Sequence, residues 1–123
     1  MITKGMLFAL TVFFVVGVRA EEAFKISGDP AKGKALYTMH CVSCHGVTGA
    51  GDGGCASGLK SKPRALNEKA YMDTLTDEHL FHVIKNGGPS VGLSDVMTAF
   101  GDVLKSEQAI HDVAAYVRSL AGE

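Results

Sequence analysis

What this chain lacks narrows its function first. It has no surplus of basic residues: 12 Lys and Arg stand against 13 Asp and Glu, for a formal charge of −1. With no basic stretch either, it offers no footprint for nucleic acid and no polybasic patch for a membrane surface. It has no apolar run long enough to cross a bilayer. The mostly apolar, uncharged run Gly5 to Val18 is 14 residues, against the roughly 20 that a spanning helix needs. No segment reads convincingly as a strand, and no internal repeat is visible. It also lacks an even complement of cysteines. Three of them, Cys41, Cys44 and Cys55, cannot by themselves make a disulfide framework. One thiol is spare, or two are consumed by something other than a plain bridge.

The short apolar run has its own reading. Lys4 supplies positive charge before it, Val18-Arg19-Ala20 ends it with a site of the kind a signal peptidase cuts, and Glu21 and Glu22 follow. This pattern predicts an export signal, residues 1–20, cleaved after Ala20. The alternative, an uncleaved N-terminal anchor, is opposed by the short core and the cleavage-like site. Removal leaves residues 21–123 as one domain. It would carry 10 basic and 13 acidic residues, a formal charge of −3, and would sit in the periplasm without a stable membrane span. A chain of about 100 residues has limited core volume, so a bound cofactor would help it fold.

What is present reads as all-α. Asp29 and Pro30 are an N-cap and a first helical residue, opening a helix whose apolar positions include Leu36 and Met39. Thr76 caps a second strong helix, with Asp77 and Glu78 at its positive end and Lys85 at its negative end; Leu80, Val83 and Ile84 form one face and Gly87 ends it. From Ser106, the positions Ile110, Val113, Ala114, Val117 and Leu120 step at three and four, as a helix packed on one side requires. A short helix is expected near Glu68 to Met72. Residues 46–63 hold six glycines, so no regular element is expected there. A long loop in a small domain usually wraps something.

The chemistry concentrates in "MHCVSCHG". Cys41 and Cys44 are spaced C-x-x-C, and His45 follows directly. A redox dithiol would need the strand–turn–helix context of βαβ units, which the chain does not offer. A zinc site would need four ligands, and only Cys55 remains as a further thiol, with His79 and His82 three apart on one helix. A bridge between Cys41 and Cys44 would close a tiny loop and contribute little. C-x-x-C-H as a haem attachment uses every residue: two thiols add to the porphyrin vinyl groups, and His45 binds the iron. For the sixth position the candidates are Met39, Met72, Met97, His79, His82 and His111. Met39 and His40 are too near Cys41 to reach the opposite face. Met72 reads as core, and the three histidines as flank residues on helices. Met97 lies in an irregular segment between Gly92 and Gly101, 52 residues beyond His45, which is chain enough to cross from one face of the ring to the other.

From Gly28 to Gly122 the sequence resembles a class I cytochrome c, through "GKALYTMHCVSCHG", "GDGGCASGLKSKPRAL", "LTDEHLFHVIKNGG", "MTAFGDVL" and "HDVAAYVRSLAG". The resemblance implies three to five helices wrapped around one covalently bound haem c. Cys41 and Cys44 would be the thioether attachments, His45 the proximal ligand and Met97 the distal ligand. It also implies a close crossing of Gly33 and Tyr37 on Tyr116, and a Pro63 carbonyl bonded to the second nitrogen of His45. Arg64 would face a haem propionate or remain a solvated loop charge. Two features depart from the family pattern. Thr98 stands where proline commonly follows the methionine, and Cys55 has no family role; it is expected to be a small buried or half-buried thiol. With both axial positions filled, the expected function is one-electron transfer and not catalysis. A quinol-oxidising complex or dehydrogenase would donate, and an oxidase, reductase or peroxidase would accept. A dedicated haem subunit of an oxidoreductase complex is the rival reading, and a redox or gas sensor, favoured only by Thr98, a weaker one.

Overall fold

Asp29, Thr76 and Ser106 each stand where a helix begins. In the computed structural model, which describes residues 11–122, each side chain accepts a hydrogen bond from a backbone N–H of the first turn: Ala31, His79 and Ala109 respectively. Residues 1–10, the first half of the expected export signal, lie outside the described residues, as does Glu123. Among the described residues there is no strand.

The helices are α1 (Pro30–His40), α2 (Val42–His45), α3 (Lys69–Met72), α4 (Asp77–Asn86), α5 (Gly101–Leu104) and α6 (Glu107–Leu120). Among the described residues, six helices replace the expected three to five, because α2 and α5 are single turns, too short to show a helical period. The loop expected to hold no regular element carries a 3-10 turn at Ala56–Gly58, and a second such turn, Gly88–Val91, follows α4.

The frame is the crossing of α1 on α6. Gly33 makes it: a Cβ built there would lie 1.8 Å from the Asp112 carbonyl oxygen and 2.9 Å from the Tyr116 Cβ. No side chain fits, so glycine is kept inside a helix despite costing about 1 kcal/mol of propensity. One turn on, the rings of Tyr37 and Tyr116 meet edge to face at 5.1 Å. The implied Gly33–Tyr37–Tyr116 crossing is therefore present. Asp112, buried beside it, accepts from the Asp29 N–H at 2.8 Å and from Gln108 at 3.0 Å.

The core is built from α1, α4 and α6 around Tyr37, Leu80, Phe81, Ile84, Ile110, Val113 and Val117, with Met72 of α3 and Leu104 of α5 closing it. Met72 is 1% exposed, so it is core and not a ligand candidate. Packing of the N-terminal segment begins at Phe24, whose ring stacks on His111 at 5.6 Å and meets Phe81 at 5.1 Å. Before it, Val12 to Val16 and Val18 are at least 76% exposed, an apolar run that the domain does not use.

Candidate functional site

α1 stops at His40, the chain turns at Cys41, and α2 carries Cys44 and His45. A helix this short leaves its last carbonyls without internal partners. The glycine-rich loop supplies them: Cys55, Gly53 and Gly51 donate N–H to Ser43, Cys44 and His45 at 2.9, 3.2 and 2.8 Å. The loop therefore wraps the C-x-x-C-H turn, as its length suggested.

On a separate segment, α4 ends at Gly87, and the chain that follows, through the 3-10 turn Gly88–Val91, folds back on it. The Gly88 N–H donates to the Met97 carbonyl at 2.8 Å, and the Phe100 N–H to the Ile84 carbonyl at 2.9 Å. These bonds present half-buried Met97 toward the interior.

Cys41, Cys44, His45 and Met97 all line one cavity of about 270 Å³. Its walls include Leu80, Val83, Ile84, Val113 and Val117. The cavity is thus mostly apolar, with thiols and an imidazole on one segment and a thioether on another. The three cysteines are unbridged. Burial, with Cys44 adding to it, pushes the Cys41 thiol up to about 11. A redox dithiol needs a lowered thiol pKa, so this site is unsuited to that role. Among the described residues no group of three or more His, Cys, Asp or Glu is arranged to hold a metal ion, so the zinc reading has no ligand set there. Burial lowers the His45 pKa, which favours the neutral imidazole that metal coordination uses. Burial raises the Tyr37 hydroxyl well above its ordinary value, which keeps it protonated as a donor. It donates to the Gly46 carbonyl at 2.7 Å.

Three details differ from the sequence expectations. His45 Nδ1 is buried without a hydrogen-bond partner, so its expected bond to the Pro63 carbonyl is not formed, although Pro63 does line the cavity. Cys55 is exposed, not buried or half-buried, because its loop segment lies on the outside of α2. His79 lines the cavity, whereas it was expected on the helix flank. Its signal was present, since His79 sits four residues before Val83 on the inward stripe of α4. Arg64 stands with its guanidinium 4.0 Å from the centroid of the Tyr71 ring, and both residues line the cavity. Tyr71, Lys62 and the Tyr37 hydroxyl were not identified from the sequence. Tyr71 and Lys62 sit in segments without a helical period to orient them.

Residues 28–117 match the family Cytochrome_CBB3, described as cytochrome C oxidase, cbb3-type, subunit III. The chain belongs to this family. The cytochrome is 30% identical to cytochrome c6 of Rippkaea orientalis over 117 residues, which covers 95% of this chain and 91% of that one. It is 35% identical over 95 residues to the cbb3-type cytochrome c oxidase subunit FixP of Azorhizobium caulinodans; the match covers 75% of this chain, which spans only 29% of that protein. The solved KustC0563 c-type cytochrome superposes with a TM-score of 0.59 at 26% identity, covering 72% of this chain and 95% of that one. The small cytochrome c fold is therefore established, and with it one covalently bound haem c. The cavity fits such a group: two free thiols in C-x-x-C spacing, an adjacent imidazole, apolar walls and a thioether on a separate segment.

Proposed function

We propose that this cytochrome is an exported one-electron carrier in which Cys41 and Cys44 hold the haem by thioether bonds while His45 and Met97 are the axial ligands. The observation that carries the reading is that these four side chains, from segments 52 residues apart, line a single mostly apolar cavity. The haem supplies the Fe(III)/Fe(II) couple. The protein's part is to hold both axial donors, exclude water with Leu80, Val83, Ile84, Val113 and Val117, and keep the thioether that raises the potential relative to harder donors. With both axial positions taken by side chains, the site binds no substrate, and the protein is not an enzyme.

Export rests on the leader-like residues 1–20, whose described apolar part is exposed and unused by the domain; among the described residues no helix is long and apolar enough to cross a membrane. We assign it to the periplasm, cleaved after Ala20. Its partners are redox proteins: a quinol-oxidising complex or dehydrogenase as donor, and an oxidase, reductase or peroxidase as acceptor. A second reading, a dedicated haem subunit of an oxidoreductase complex, is favoured by the cbb3-type subunit III match. Stable co-purification with a catalytic partner would select it.

The test is a reduced-minus-oxidised spectrum of the purified protein, with and without Met97→Ala. The substitution is expected to alter the axial-ligand features and lower the potential. An unchanged spectrum would remove Met97 from the iron. His79, also on the cavity wall, is the next donor to examine in that case.

A further inference from the structure

We propose that the N-terminal strap, residues 24–28, is fastened to α6 by a proton-sensitive latch at His111. The Ser27 N–H donates to His111 Nδ1 at 3.3 Å. That nitrogen is therefore an acceptor, and the neutral ring carries its proton on Nε2. The same ring stacks on Phe24 at 5.6 Å and meets Phe81 of α4 at 4.7 Å, while Phe24 meets Phe81 at 5.1 Å. Three rings from three segments thus close a triangle. Beside it, Gln108 donates to the Ser27 carbonyl at 3.0 Å. The backbone then runs so close to α6 that a Cβ built on Gly28 would lie 2.1 Å from the His111 carbonyl oxygen. His111 is the centre of this contact and the one group in it that changes charge near neutral pH.

A proton on Nδ1 would turn the acceptor into a donor pointing at the Ser27 N–H. The doubly protonated ring and the Ser27 bond exclude one another. Imidazoles change charge between pH 5 and 8. Above that window the neutral ring keeps the bond. As pH falls through it, the loosened strap binds the proton better than the fastened one, and the bond is lost. The surrounding charges leave this balance in place. On α6, the carboxylates of Glu107 and Asp112 act on the His111 charge and favour the proton. Glu107 is paired with Lys85 of α4, which opposes them. Elsewhere on α4, Asp77 is paired with Arg118, and His82 contacts Glu78 and Asn86. On the strap, Lys25 acts on Asp77. The other strap bonds, from the Ile26 N–H to Asp77 and from the Asp29 N–H to Asp112, end on carboxylates, which stay ionised throughout the imidazole window. Acid therefore loosens the strap at Ser27 and leaves its Asp29 anchor. The strap clamps the outside of α4 and α6, whose Leu80, Ile84, Val113 and Val117 line the haem cavity.

The experiment uses the holoprotein and follows amide exchange at Ser27 and Asp29 between pH 8 and pH 5.5, each rate taken relative to the intrinsic rate at that pH. In wild type, Ser27 protection should fall by about fivefold or more on acidification, the range set by one hydrogen bond of modest net value, while Asp29 protection holds. His111→Asn supplies an acceptor that takes no proton, so its Ser27 protection should not depend on pH. His111→Phe keeps an aromatic ring and removes the acceptor, so its Ser27 protection should be low at both values. Wild-type Ser27 protection that is independent of pH would overturn the latch, and this result needs no variant to fold. So would an equal fall in wild type and His111→Asn, which would assign the response to another group. A fall shared by Ser27 and the amides of Ile110 and Val113 in α6 would show general loosening of the domain and would overturn it as well.

Discussion

Arg118, in the last turn of α6, donates from Nε and Nη2 to one oxygen of Asp77, in the first turn of α4, at 3.1 and 2.9 Å. The same guanidinium donates to the carbonyls of Met72, at 2.6 Å, and Leu75. The other Asp77 oxygen accepts the Ile26 N–H at 3.0 Å. One half-buried pair thus joins four segments: the N-terminal strap, the end of α3, the start of α4 and the end of α6. Tyr71, Leu75 and Leu80, which line the haem cavity, sit at or beside that junction.

Arg118→Ala is expected to destabilise the holoprotein by about 2–3 kcal/mol, the range for charge-assisted bonds that leave partners unpaired. Partial exposure of the pair, 21% and 22%, keeps the figure below that of a fully buried ion pair. Arg118→Lys should recover only part of the loss, because an ammonium cannot reproduce the planar fork that serves three acceptors. Denaturant unfolding of the three proteins checks both statements.

Asp77 also sets an acid limit. Burial alone would raise its pKa, but the Ile26 N–H bond and the Arg118 bond and charge outweigh burial and lower it. A carboxyl held lower in the folded state than in the unfolded chain makes the unfolded state the better proton binder between the two values. Its stabilising contribution is complete above the ordinary carboxylate range and is lost as pH falls through the folded value. Asp77→Asn should therefore be less stable than wild type at pH 7, and the gap should narrow as pH falls below the ordinary carboxylate range. Unfolding free energies measured from pH 7 downward would show it; a gap independent of pH would contradict it.

The helix crossing gives a third expectation. Gly33→Ala improves helix propensity by about 1 kcal/mol, yet it puts a methyl where the Asp112 carbonyl oxygen would lie 1.8 Å away. Forcing the helices apart costs about 1–3 kcal/mol or more. The net effect should be a lower Tm, although the isolated α1 sequence becomes a better helix former. A raised Tm would mean that the crossing yields easily.

Much of this was readable before any coordinates. The three long helices announce themselves by caps and periods, and Asp29, Thr76 and Ser106 cap them as expected. Cys41, Cys44, His45 and Met97 were found from a short motif and from the irregularity of the segment around Met97, and they do share one cavity. What stayed hidden depends on partners distant in sequence. Arg118 gives no local hint that it serves residues 41 to 46 positions earlier. The Tyr37 hydroxyl acts on a glycine whose unusual φ only the folded turn reveals. The one-turn helices α2 and α5 are too short for a period to form. The Pro63 expectation failed at the level of a single bond: Pro63 reaches the cavity wall but makes no bond to the imidazole nitrogen.

The three cysteines should separate cleanly in experiment. Cys55 is exposed and does not line the cavity. Its side chain makes no hydrogen bond among the described residues; only its backbone is tied, the N–H to the Ser43 carbonyl and the carbonyl to the Gly58 N–H. Cys55→Ser is therefore expected to change stability by no more than about 0.5 kcal/mol and to leave the covalent haem mass in place. A maleimide should label wild-type holoprotein once, and Cys55→Ser not at all, because the other two sulfurs are consumed as thioethers. The double variant Cys41→Ser, Cys44→Ser should behave oppositely, with a mass equal to the bare chain and a poorly folded product, since the glycine-rich loop then wraps a turn with no macrocycle beneath it. Labelling of wild-type holoprotein at three sites would show that Cys41 and Cys44 are free thiols and would defeat the attachment.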